Sequence, residues 1–74
     1  MADIPWDRDP IELGSAIRNA RTLAGMSTQD VANRLKLREA FVIAVEEGRA
    51  EDLMPTAYAR NHIRTIAALV GVEL

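Results

Sequence analysis

The absence of cysteine from a chain of only 74 residues is the feature that most limits how it can fold. A chain of this size buries only about 60% of the surface that its unfolded form exposes. Neither a disulfide nor a cysteine–zinc site can compensate for so small a core. The fold must therefore depend on a well-formed hydrophobic core. Apolar residues at 49% and charged residues at 27% are typical of one globular domain.

The residue types favour helix over sheet. Only three aromatic residues occur, and the β-branched residues are scattered among Ala, Arg, Glu and Leu. A membrane-spanning helix needs about 20 apolar residues in succession, and no run in the sequence approaches that length. The first residues also lack the basic start and apolar stretch of a signal peptide. We therefore expect an all-α fold.

Charge divides the chain into two parts. Four acidic residues and one arginine lie in residues 1–12, whereas residues 13–74 hold eight basic and seven acidic residues. We predict an extended acidic leader over residues 1–10, because prolines disfavour helix around them. Trp6 in this leader is interpreted as an anchor packed on the domain in preference to a partner contact. Neither part has the strongly basic character of most nucleic-acid binders.

Apolar residues recur at helical spacing in four segments. The pattern predicts a small bundle of four to five helices, over residues 11–24, 28–35, 38–47 and 57–70, with a fifth turn at 51–54. Ser27 and Asp30 have the spacing of a capping box at the start of the second helix. Thr56 is the predicted N-cap of the last helix.

The second and third predicted helices are short and are joined by two or three residues. A longer helix lies on either side of this pair, which is the layout of a helix-turn-helix. The motifs Gly25-Met26-Ser27 and Glu46-Glu47-Gly48 flank the pair and resemble the Xre/Cro-type repressor pattern. That resemblance covers residues 13–49.

The C-terminal part narrows the resemblance to one family. The motifs Tyr58-Ala59-Arg60, Ile63-Arg64-Thr65 and Gly71-Val72 are similar to the cytoplasmic domain of the bacterial cell-shape family RodZ. The match covers residues 13–72 without a gap, and we predict one domain of this type over residues 11–72. His62 departs from the family pattern, because it fills a position that is commonly aromatic. Typical members continue into a membrane helix, so the chain is expected to be an excised domain or a free-standing relative.

The resemblance implies a non-enzymatic module that binds MreB, an actin-like filament protein, in bacterial cell-shape control. It implies a location in the cytoplasm, at the inner face of the membrane if the chain is part of a longer protein. In the family, aromatic residues near the end of the domain make the filament contact, at positions that match Tyr58 and His62. The predicted protein-binding residues are Tyr58, Arg60, His62, Thr65 and Leu69.

A structural interpretation of the same helix stays open beside the functional one. On a helical wheel, Tyr58, His62, Thr65 and Leu69 fall together beside the core stripe. Tyr and Arg are frequent anchors of protein interfaces, which favours a docking surface here. The alternative is that Tyr58 and Leu69 close the edge of a small core while His62 is solvated.

An Xre-type DNA-binding regulator is the alternative function. Its predicted DNA-binding residues are Thr28, Gln29, Lys36, Arg38 and Glu39. The predicted outer face of the third helix carries Glu39, Ala40, Ile43 and the Glu46–Glu47 end. Base readers are usually Arg, Lys, Asn, Gln, Ser or Thr, and glutamates repel phosphates. This face therefore favours a protein partner over DNA.

Nothing in the sequence indicates catalysis. There is one histidine, and no base is spaced to activate Ser15 or Ser27 as a nucleophile. Neighbouring acids such as Glu46–Glu47 diverge on a helix, so we interpret them as solvated surface. No phosphate-binding loop or metal-ligand spacing occurs. We expect no enzymatic activity, cofactor, metal or small-molecule substrate.

Overall fold

The computed structural model describes residues 9–73, which form a bundle of four α-helices. The helices are α1 (Pro10–Leu23), α2 (Thr28–Leu35), α3 (Glu39–Glu46) and α4 (Thr56–Val70), with a 3-10 turn (Ala50–Asp52) between α3 and α4. The all-α fold with a helix-turn-helix is therefore confirmed. The prediction for Trp6, and nearly all of the predicted leader, lies outside the described residues.

Side-chain hydrogen bonds cap the starts of α1 and α2. The Asp9 carboxylate accepts a hydrogen bond from the Ile11 amide at 2.9 Å, so α1 begins at Pro10, one residue earlier than predicted. The capping box is confirmed, because the Ser27 amide donates to the Asp30 carboxylate while the Asp30 amide donates to the Ser27 hydroxyl oxygen. Hydrogen bonds from the Ser27 backbone, and then from its side chain, lower the pKa of the Asp30 carboxyl.

The predicted cap of the last helix is wrong by one residue. Pro55 precedes α4 as its N-cap, and Thr56 is the first helical residue. Proline has no side-chain acceptor, and the helix start has no side-chain capping bond. Its fixed backbone angle sets the chain direction instead, since Pro55 has φ −57° and ψ 150°.

The largest fully enclosed side chains of the hydrophobic core come one from each helix. Ile17 of α1, Val31 of α2, Val42 of α3 and Ile66 of α4 have no exposed surface. Burying each of these side chains stabilises the fold by about 1.5–3 kcal/mol. All four belong to one hydrophobic cluster, so the four helices depend on one another. None of the described helices combines the length and the apolar character needed to cross a membrane.

The backbones of α1 and α3 touch at Gly14. A Cβ atom placed on Gly14 would lie 2.6 Å from the carbonyl oxygen of Val45 and still closer to that of Glu46. Both atoms belong to the backbone at the end of α3, so neither can move aside as a flexible side chain would. Only glycine allows α1 to rest directly on these carbonyl groups.

We expect Gly14→Ala to lower the free energy of unfolding by about 1–3 kcal/mol, because the added methyl group forces α1 away from α3. In an ordinary helix interior, Gly→Ala raises the stability by about 0.5–1 kcal/mol. A loss of stability here would therefore indicate the close contact between α1 and α3. Urea denaturation followed by circular dichroism measures the effect. The matched control is Ser15→Ala at the exposed neighbouring position, which should stay within about 0.5 kcal/mol of the parent. A Gly14→Ala protein as stable as the parent would contradict the close approach.

Candidate interaction surfaces

Helices α2 and α3 form the helix-turn-helix. Lys36 ends α2 in the left-handed conformation, with φ 57° and ψ 44°. The next residue, Leu37, donates its amide to the Ala32 carbonyl oxygen at 2.9 Å and packs against the core. Arg38 then provides the extended N-cap of α3. This turn places the Lys36 and Arg38 side chains on the surface at the entrance to α3.

A buried ion pair fixes the other end of α3. Arg21 of α1 contacts both carboxylate oxygens of Glu46, with Nε 2.5 Å from Oε2 and Nη2 3.1 Å from Oε1. Its Nη1 also donates to the Met26 carbonyl oxygen at 2.8 Å, in the loop before α2. One guanidinium group thus joins α1, the start of the helix-turn-helix and the end of α3. The hydrogen bond to Glu46 raises the pKa of Arg21 further, which keeps it charged.

The prediction that Glu46 is a solvated residue facing outward is wrong. Its side chain is only 3% exposed, and the Arg21 side chain is 15% exposed. Glu46 lies one turn beyond the buried Val42, on the side of α3 that faces α1. Arg18 adds a longer contact, with Nε 3.4 Å from Glu46 Oε1, and stays 53% exposed. The sequence signal that could have indicated the Arg21–Glu46 ion pair is the presence of two arginines three positions apart in α1.

Three of the predicted DNA-binding residues, Thr28, Gln29 and Glu39, make side-chain hydrogen bonds within the domain. The Thr28 hydroxyl donates to the Glu39 carboxylate at 2.6 Å, so the first turns of α2 and α3 are joined. Gln29 Nε2 donates to Asn33 Oδ1 at 2.9 Å, one turn along α2. Lys36 and Arg38 are exposed, as predicted.

The outer face of α3 is mostly apolar where it is open to solvent. Ala40 and Ile43 are exposed, in agreement with the predicted face. Glu47 follows α3 and is exposed, but its carboxylate lies 2.5 Å from Arg49 Nη2. The pairing with Glu47 raises the pKa of Arg49. Hydrogen-bond donors suited to reading base edges are missing from these exposed positions of α3.

The predicted protein-binding residues of α4 do not form one exposed ridge. Tyr58 is 64% exposed, so the alternative interpretation that it closes the core is wrong. Leu69 is half-buried and packs against the core. The Thr65 hydroxyl is exposed and donates to the Asn61 carbonyl oxygen at 3.0 Å. Arg60 is exposed near the start of the helix.

His62 is half-buried, and the interpretation of a solvated ring is wrong. Its ring meets the buried Phe41 ring edge-on, with centroids 5.2 Å apart and planes at 75°. Such an arrangement is favourable between aromatic rings. His62 therefore joins α4 to α3, and only part of its surface is available to a partner.

Leu53 is an exposed apolar residue that neither predicted binding surface includes. It follows the 3-10 turn and is 52% exposed, five positions before Tyr58. The apolar run Leu53-Met54-Pro55 in an otherwise polar connector was the available signal. Among residues 9–73, no three His, Asp or Glu side chains lie together in a way that could hold a metal ion.

Two short helices paired across a left-handed turn, with longer helices packed on both sides, define the helix-turn-helix class of domain. A helix-turn-helix domain family matches residues 16–74, from the first half of α1 to the end of the chain. The protein belongs to this family. No solved structure matches the chain significantly.

We expect Arg21→Met to lower the free energy of unfolding by about 3 kcal/mol, because it leaves the Glu46 carboxylate buried without its main partner. Arg18→Met is the matched control, since Arg18 is half-exposed and makes only the longer contact. Its loss should cost less than about 1 kcal/mol. Thermal and urea denaturation of the two variants measure the difference. Equal losses would show that Arg21 does not have the special role assigned to it.

Proposed function

We propose that this domain is a non-enzymatic protein-interaction module of the RodZ type, which binds an MreB-type actin-like filament in the bacterial cytoplasm. The proposal combines the sequence resemblance with one structural observation. The exposed part of α3 presents Ala40 and Ile43, where a DNA-binding helix presents donors to base edges.

The electrostatics of the helix-turn-helix support a protein partner. Lys36 and Arg38 are two cations at the turn, and Glu39 and Glu47 lie at either end of α3. Tight DNA binding uses several neutralised phosphates, commonly about 6–10 contacts. With Arg34, which is also exposed, the turn supplies three cations, fewer than such binding uses.

The start of α4 supports the filament contact. Tyr58 extends into solvent and is close in sequence to Arg60, which is also exposed. Tyrosine and arginine are both enriched at interface hot spots, so each of these exposed residues is a candidate anchor. In the RodZ resemblance, Tyr58 is the conservative match to an aromatic filament-binding position. The partly buried His62 would contribute less.

We expect Tyr58→Ala to weaken binding to the purified MreB protein of the same source by about 1–3 kcal/mol, as the loss of an anchor does. Leu23→Ala is the matched control, since Leu23 on α1 is 89% exposed and lies on a different helix. It should leave the affinity unchanged. Co-sedimentation with filaments and fluorescence titration measure the affinities, and circular dichroism checks that both variants are folded. A folded Tyr58→Ala protein with unchanged affinity would exclude Tyr58 as an anchor.

The same titrations test the DNA-binding alternative. Mixed-sequence duplex DNA is titrated separately, first at low salt and then at higher salt, because electrostatic DNA binding weakens steeply as salt rises. Docking through an aromatic and apolar surface should depend much less on salt. Salt-sensitive DNA binding without filament binding would overturn the proposal and assign the function to Gln29, Lys36 and Arg38.

A further inference from the structure

A groove of about 260 Å³ opens between the first turns of α1, the end of α3, the 3-10 turn and α4. Leu13, Val45 and Ile63 give it an apolar lining. Leu13 and Val45 are buried core residues, and Ile63 is half-buried. The groove is therefore an opening in the edge of the hydrophobic core. Small-molecule sites are commonly about 300–1,000 Å³, so this groove has the scale of one or two side chains.

We propose that this groove is the docking site of the chain's own N-terminal segment, residues 1–8, with the Trp6 side chain as its anchor. The proposal goes beyond the proposed function and does not depend on it. The groove's position beside Pro10 favours a segment of the same chain over a separate partner.

Chain connectivity places Trp6 within reach of the groove. Pro10, the first residue of α1, itself lines the groove. Trp6 precedes Pro10 by four positions, and an extended chain spans about 3.3–3.6 Å per residue. The indole can therefore enter an opening that begins beside Pro10. A tethered segment also binds at a high effective concentration, which a free partner lacks.

The chemistry of the segment matches the groove. Trp6 combines a large apolar surface with one N–H donor, and a partly polar groove edge accommodates both. The residues after it, Asp7 and Arg8, carry opposite charges. The groove is likewise bordered by groups of both signs, with Arg60 on α4 and Asp52 on the 3-10 turn. Pro5 lies within this segment, and a proline restricts a free chain, which lowers the entropy lost on docking.

Trp6 is the only tryptophan of the chain, so its fluorescence reports the docking directly. In the full chain we expect blue-shifted emission and iodide quenching several-fold weaker than in the urea-unfolded protein. We also expect nuclear Overhauser contacts between the indole protons and the Ile63 methyl groups. Emission and quenching equal to those of the unfolded chain would overturn the proposal, as would indole contacts to a different surface.

A pair of matched variants separates the groove from general effects on the fold. Ile63→Ala removes part of the groove wall and should increase iodide quenching of Trp6 at least twofold. Leu23→Ala makes a comparable truncation on the exposed side of α1 and should leave the quenching unchanged. Circular dichroism verifies that each variant is folded. If Ile63→Ala does not fold, the indole-to-methyl contacts in the parent chain decide the result.

Discussion

The Arg21–Glu46 pair is the interaction on which the arrangement of this domain depends. Burying two charges is costly, and an apolar pair of similar volume is often as stabilising. An apolar pair could not, however, also bind the Met26 carbonyl oxygen, which Arg21 Nη1 reaches at 2.8 Å. The planar guanidinium group has donors in fixed directions, so it sets three segments at defined positions. We therefore interpret the pair as fixing geometry more than adding stability.

The close approach at Gly14 works together with this pair. Gly14 and Arg21 lie two turns apart on α1, and both contact the end of α3, one by backbone packing and one by charge. Backbone contact brings α1 near enough for the arginine to reach Glu46 without extending into solvent. With its last turn held in this way, α3 turns Ala40 and Ile43 outward. The candidate surface is thus a consequence of contacts on the opposite side of α3.

The sequence predicted the helices well because their signals are local. Apolar periodicity and the Ser27–Asp30 capping box depend on residues within a few positions of one another. The predictions that Glu46 and His62 are solvated were wrong because the partners of these residues lie far away in the chain. Glu46 pairs with a residue 25 positions earlier, and His62 packs against Phe41 of another helix. A helical wheel identifies which residues share a face, but not which neighbouring helix covers that face.

The three glutamates of the α3 region have partners within the domain, which weakens the electrostatic reason to exclude DNA binding. Glu39 accepts a hydrogen bond from Thr28, Glu46 is buried against Arg21, and Glu47 pairs with Arg49. Each negative charge is therefore partly compensated within the domain, and repulsion of phosphates is weaker than the residue count suggests. The stronger reason to favour a protein partner is the chemistry of the exposed residues of α3. Ala40 and Ile43 can contact apolar groups but cannot donate a hydrogen bond to a base edge. The preference for a protein partner rests on that missing capacity more than on charge.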